Sequence, residues 1–303
     1  MKLKEWGAFA ILGLVWGSSF LWIKIAVQEI GPFTLVAFRL LFGLIGLLGV
    51  MRLQRQSFPR DRQVLLAYLF MGAINTAVPF VLISWGETRI DSGLASILNG
   101  TVPLFTILIA HVWLHDEKIT LPRIAGLVVG FVGVVVLVSR DIHPEGLHGN
   151  VWGQIAVIGG SICYATAITF SRRHLRNQPP VLQSTMVLLV ADALVWIAAP
   201  IAERPFHLPA MPLTWFAIAW LGLLGSCLAY LLFFYLINAW GPTRASLVTY
   251  VFPVIGLILG IIFLKEAPDW RLVAGSLLIV AGIVVVNLMF GPRPVPVPTA
   301  ATD

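Results

Sequence analysis

The side chains best placed to do chemistry in this sequence are polar and aromatic groups set at helical spacing inside long apolar runs. Trp16, Ser19 and Trp22 lie in the first such run, and Ser19 and Trp22, three apart, share a helix face. Asn75 and Pro79 are four apart, and Ser96, Asn99 and Pro103 are spaced three and four, again one stripe. Tyr164, Tyr230 and Tyr250 add phenols in later runs. Such a set suits recognition: aromatic walls with a few polar groups orient an amphiphilic solute in a cavity. Among the ionisable residues inside the runs, Arg39 and Asp192 sit at matched depth with opposite sign. A charge at that depth needs a partner or water. The two either pair, or Arg39 faces the cavity and holds a substrate carboxylate. Lys24, close to a helix end, can snorkel, and His111 reads as packing.

Bond-making chemistry has no comparable support. The chain lacks H-E-x-x-H and G-x-S-x-G motifs, and it lacks the G-x-x-x-x-G-K-[ST] loop of a nucleotide-driven pump. Cys163 and Cys227 are isolated in apolar runs with no metal or disulfide spacing, so no metal or cofactor is expected. Two bland readings stand beside the cavity: small polar residues also join helices to one another, and Pro79, Pro103 and Pro253 can be static kinks as readily as hinges.

The elements that position these residues follow from composition. Of 303 residues, 58% are apolar and only 11% charged, against roughly a quarter charged in a soluble domain. Lipid is therefore the solvent for most of the chain. A helix crossing the hydrocarbon needs about 20 apolar residues, and continuous rather than alternating runs exclude a barrel. The runs predict ten transmembrane helices, over 6–27, 33–51, 64–85, 92–114, 121–139, 152–172, 181–200, 213–237, 244–264 and 270–290. The first is read as retained, not a signal peptide. Trp6, Trp152 and Trp270 read as interfacial belt residues; Trp16 lies too deep for one.

Lys2, Lys4, Arg52, Arg55, Arg60, Arg62, Lys118, Arg123, Arg172, Arg173, Arg176, Arg244 and Arg293 fall on the side of the N-terminus. Arg89, Arg140, Arg204, Lys265 and Arg271 fall opposite. The asymmetry predicts both termini cytoplasmic. The net charge of +6 comes from these loops and not from a basic stripe interleaved with aromatics, so no nucleic-acid partner is expected. The expected partners are the bilayer and a small solute; a monomer suffices, and the oligomeric state is open.

The chain also repeats itself. Ala95-Ser-Ile-Leu-Asn-Gly-Thr-Val-Pro103 leads to Leu114-His-Asp-Glu117, then Gly126 and Gly133; Ala245-Ser-Leu-Val-Thr-Tyr-Val-Phe-Pro253 leads to Leu264-Lys-Glu266, then Gly275 and Gly282. The predicted units are residues 1–140 and 141–290, five helices each, with a Pro-rich cytoplasmic tail over 291–303. An odd helix count inverts the second unit, an arrangement associated with alternating access around a midplane site.

Together with Trp16-Gly17-Ser18-Ser19-Phe20 and Arg39, these residues resemble the drug/metabolite transporter (DMT) superfamily, specifically its EamA-type ten-helix exporters. The likeness runs over roughly residues 6–290 and departs at His115-Asp116-Glu117, which carries one extra acid. It implies an all-α integral membrane fold of two inverted five-helix repeats. Spans one, three, four, six, eight and nine would line the cavity; all of the polar groups above except Arg39 and Asp192 fall on them. It further implies a secondary transporter that exports a small amphiphilic metabolite, such as an amino acid, aromatic ones included, across the bacterial inner membrane. A channel-like facilitator and an intramembrane enzyme are the alternatives.

Overall fold

A computed structural model describes residues 3–113, 120–139, 142–143, 146–147, 149–175, 178–204, 207–240, 248 and 250–288. All ten predicted spans form helices. Seven are long and apolar enough to cross a bilayer: Leu3–Ala26, Pro32–Leu53, Arg62–Glu87, Ser92–Trp113, Asn150–His174, Pro180–Ala202 and Pro212–Phe233. The fifth, Leu121–Val138, the ninth, Val251–Leu264, and the tenth, Trp270–Leu288, are apolar too. Among the described residues the strands amount to one two-residue antiparallel pair, Ile142–His143 with Gly146–Leu147, in the central connection. The tail after Gly291 and the Glu117 end of the first repeat motif lie outside the described residues.

Four spans are irregular, and the sequence explains most of this. The first breaks at Ser18, whose hydroxyl, like that of Ser19, turns back to the Val15 carbonyl. The fourth stops at Asn99 and restarts at Val102, which places Pro103 in a first helical turn where its missing N–H costs nothing. The third widens into a π-helical turn over Gly72–Ala77 just before Pro79, so the proline is accommodated by an extra residue instead of a sharp bend. The eighth carries a matching π-helical segment, Trp220–Leu228, without a proline; there the Ser226 hydroxyl donates to the Leu221 carbonyl five residues back.

The packing pairs the second span with the seventh, the fourth with the ninth and the fifth with the tenth; the third against the sixth is mirrored by the eighth against the first. The list maps onto itself when spans one to five are exchanged for six to ten. Glycine sets the closest approaches. A Cβ on Gly282 would lie 2.5 Å from the Gly126 carbonyl oxygen and the Gly130 nitrogen, and one on Gly133 2.7 Å from the Gly275 oxygen. The glycines of the sequence repeat are thus where the fifth and tenth spans touch backbone to backbone.

Trp6, Trp152 and Trp270 are exposed, as belt residues should be. His111 is exposed and so does not pack inside. Lys24 does not snorkel: its ammonium donates to the carbonyls of Glu87 and Ile90, both at 2.7 Å, closing the C-terminus of the third span where cations are favoured.

Candidate functional site

A cavity of about 570 Å³ lies between the halves, within the range of small-molecule sites. Its lining runs from Ile23 and Ile83 near the middle of the bundle to Arg123 and the exposed Arg172 at the face bearing the N-terminus. Trp16, Ser19, Asn75, Asn99, Tyr164, Tyr230 and Tyr250 all line it. Trp16 is fixed by its indole N–H on the Gly225 carbonyl at 3.0 Å and by edge contacts to Tyr230 and Phe252.

Arg39 forms the polar centre. Its side chain is 6% exposed, Nε donates to Ser226 Oγ at 3.3 Å, and the guanidinium lies 4.0 Å over the Phe80 ring. A cation held by a hydroxyl and a ring face is stabilised but not neutralised. Tyr164 and Tyr230 stand within its field, and the Tyr230 hydroxyl is bonded to Asn75. Asn99 brings a buried side-chain oxygen that has no hydrogen-bond partner among the described residues. At its buried centre the cavity therefore offers the Arg39 cation and the Asn99 acceptor within aromatic walls, with Arg123 and Arg172 further along its lining.

Four of the predicted site residues lie elsewhere. Ser96 is fully buried, bonded to the Gly93 carbonyl at 2.7 Å and pressed against Gly256, so it joins the fourth span to the ninth. Pro79 serves the wide turn of the third span. Trp22 is turned away from the cavity and packs against Phe216 and Trp220. Asp192 does not pair with Arg39: it takes a hydrogen bond from Trp196 on its own helix and is absent from the cavity wall. The two side chains share a depth but point to different neighbours, which depth alone could not resolve.

The far end of the cavity is shut. Trp22, Phe216 and Trp220 form an aromatic cluster, and the Trp220 indole N–H donates to Ser18 at 3.0 Å. Above it, three carboxylates each cap a helix N-terminus belonging to the other half, where the unpaired N–H groups and the helix dipole favour an anion. Glu203 accepts from Phe33 N at 2.7 Å, Thr34 N at 3.0 Å and Thr34 Oγ1 at 2.6 Å. Glu266 accepts from Ser92 N and Oγ, each at 2.7 Å, and from Gly93 N at 3.0 Å. Lys265, in the left-handed conformation at φ 56°, ends the ninth span and turns the chain toward this contact. Glu29 accepts from Ala210 N at 2.5 Å and Met211 N at 2.8 Å. Bonds from Thr214 first, then Met211 and Ala210, hold its carboxyl below the usual carboxylate range. That cap thus contributes fully above the ordinary carboxylate pKa and is lost only as pH falls through the lowered value.

These caps give a prediction. Glu203→Ala removes one and will weaken the shut state by about 1–2 kcal/mol, shifting the open-to-shut ratio roughly 5- to 30-fold. The check is labelling of an Ile23→Cys variant, in a background without Cys163 and Cys227, by a membrane-impermeant thiol reagent added at the capped face.

One ionisable group in this region escaped the sequence reading. Glu87, placed just beyond the predicted end of the third span, is the last residue of that helix and is wholly buried. The helix simply runs two residues further than its hydropathy suggested.

Among the described residues, ten apolar helical spans surround a cavity that reaches one face, an arrangement that suits a membrane transporter. The model of the EamA-like transporter family matches residues 5–139 and again 151–288, so the chain belongs to that family. It is similar to an uncharacterized transporter of Archaeoglobus fulgidus, at 26% identity over 94% of this chain and 99% of the relative. It is also similar to the uncharacterized inner membrane transporter YedA of Escherichia coli (30% identity; 85% of this chain, 82% of the relative). A third relative is a probable terminal-alkyne amino-acid exporter of Streptantibioticus cattleyicolor (28% identity; 95% of both chains). A crystal structure at 19% identity shares the fold, with a TM-score of 0.66 over 95% of this chain and 98% of that one.

Proposed function

We propose that this protein is a secondary carrier that exports a small amphiphilic carboxylate, an amino acid by the best fit, across the bacterial inner membrane by alternating access. Residues 1–140 and 141–290 act as the two inverted units, and both termini face the cytoplasm. The observation that carries the reading is Arg39, a buried guanidinium in an aromatic cavity that, among the described residues, is hydrogen-bonded to a hydroxyl and stacked on a ring and makes no salt bridge. A substrate carboxylate completes its coordination, the unused Asn99 oxygen accepts from the substrate ammonium, and the rings of Trp16, Tyr164, Tyr230 and Tyr250 take its side chain. Only one end of the cavity is open, as a carrier with a single accessible site requires. The amino-acid exporter among the relatives agrees with this substrate class.

The test is counterflow. Purified protein in liposomes preloaded with an unlabelled amino acid, screened over the twenty, is expected to accumulate the labelled form transiently and saturably. Flux that is non-saturable and shows no counterflow would instead support a channel, and conversion of the solute without movement would support an enzyme.

A further inference from the structure

Glu87 has no role in binding as described, yet its setting is unusual. Its side chain is 0% exposed, and among the described residues neither carboxyl oxygen has a hydrogen-bond partner. An ionised carboxylate without donors in a water-free interior is strongly disfavoured, and such a group takes up a proton instead. The residue also sits where the protein must open. Its own backbone carbonyl is held by the Lys24 ammonium, which ties the third span to the first. The charged groups within reach of its carboxyl are Lys24 on the first span, Glu266 on the capped end of the ninth and Arg39 on the second. Of these, Glu266 is committed to the N-terminus of the fourth span and Lys24 to two carbonyls. Arg89, two residues on, turns away onto Trp85. Asp91 stands at the start of the fourth span. The sixth span meets this turn through Gly153 against Gly86.

We infer that Glu87 is a proton-binding site whose occupancy is tied to closure of the capped face. In the shut state the carboxyl is neutral and sealed between the Lys24 tie and the Glu266 cap. When the caps part, water reaches it, the proton passes to that water, and the carboxylate left behind is solvated and faces Lys24. The shut state therefore binds the proton more tightly than the open state. By linkage, acid holds the face closed and alkali lets it open. The inference rests on the carrier reading, because it needs a state in which this face is open.

The experiment labels Ile23→Cys, in the full chain without Cys163 and Cys227, from the capped side with an impermeant thiol reagent. Rates are normalised to those of the same protein unfolded at each pH. Between mildly acidic and mildly alkaline pH the rate is expected to rise by about tenfold or more. In Glu87→Gln it should stay low and flat, and Glu87→Asp should shift the profile without abolishing it. Infrared difference spectra provide a second readout, a protonated-carboxyl band at neutral pH that Glu87→Gln removes and Glu87→Asp displaces. An unchanged pH profile in Glu87→Gln, or no such band, overturns the proton site while leaving the carrier intact. A cysteine labelled from the N-terminal face but never from the capped one, at any pH, overturns alternating access itself and the inference with it.

Discussion

Replacing Arg39 with methionine will reduce transport of any carboxylate-bearing solute by roughly ten- to a hundredfold, the worth of one hydrogen bond to a charged group at about 1.5–3 kcal/mol. Methionine preserves the apolar stem of the side chain and its contact with Phe80, so folding is expected to survive. The Ser226 hydroxyl keeps its bond to Leu221 and is not stranded. Arg39→Lys should recover only part of the loss, because an ammonium cannot offer the flat, two-pronged donor geometry that a carboxylate accepts. Counterflow in liposomes measures both variants, and the loss should fall on carboxylates and not on their amides. Equal losses for acid and amide would mean that the guanidinium holds the helices together and does not hold the solute.

The largest effect on stability is expected at Gly282. Even alanine there places a methyl group 2.5 Å from two backbone atoms of the fifth span. Backbone cannot step aside as a flexible side chain does, so the tenth span must separate from the fifth along its length. The cost exceeds the ~1–3 kcal/mol usual for overpacking. Gly282→Ala should therefore lower the apparent Tm and the monodisperse yield in detergent sharply. Gly49→Ala is the control, since nothing lies within 4 Å of a Cβ there, and it should be neutral or slightly stabilising.

Gly126, Gly133, Gly275 and Gly282 were legible as matched positions of the repeat, but their contact across the fifth and tenth spans was not, because a repeat displays correspondence and not proximity. The ten spans were legible because hydrocarbon thickness sets a length that apolar runs must meet. Part of the cavity wall followed as well, its polar and tyrosine groups above all, through Trp16, Asn75, Asn99 and the three tyrosines. The misplacements arise where spacing leaves direction open. Ser96 and Asn99 belong to one helical segment, Ser92–Asn99, but three residues still separate them by about 60° around the axis, and one meets the ninth span while the other meets the cavity. Trp22, three residues from Ser19, is turned aside onto Phe216 and Trp220, while Ile23, four residues from Ser19, faces the cavity. Glu203 and Glu266 could not have been found at all. Their partners lie some 170 residues away, and a capping carboxylate has no sequence pattern unless it belongs to the helix it caps.

The wide turns of the third and eighth spans carry a consequence of their own. Each inserts residues beyond the count of a regular helix, and one residue corresponds to about 100° of rotation. Everything beyond Gly72–Ala77 is therefore swivelled relative to what precedes it. Excising a single residue from that turn would leave composition, length and hydropathy almost untouched while spinning Phe80 and Ile83 off the solute's path and aiming another flank of the helix inward. A lesion of that kind would be silent to any gauge of insertion into lipid and would register only as a lost cargo.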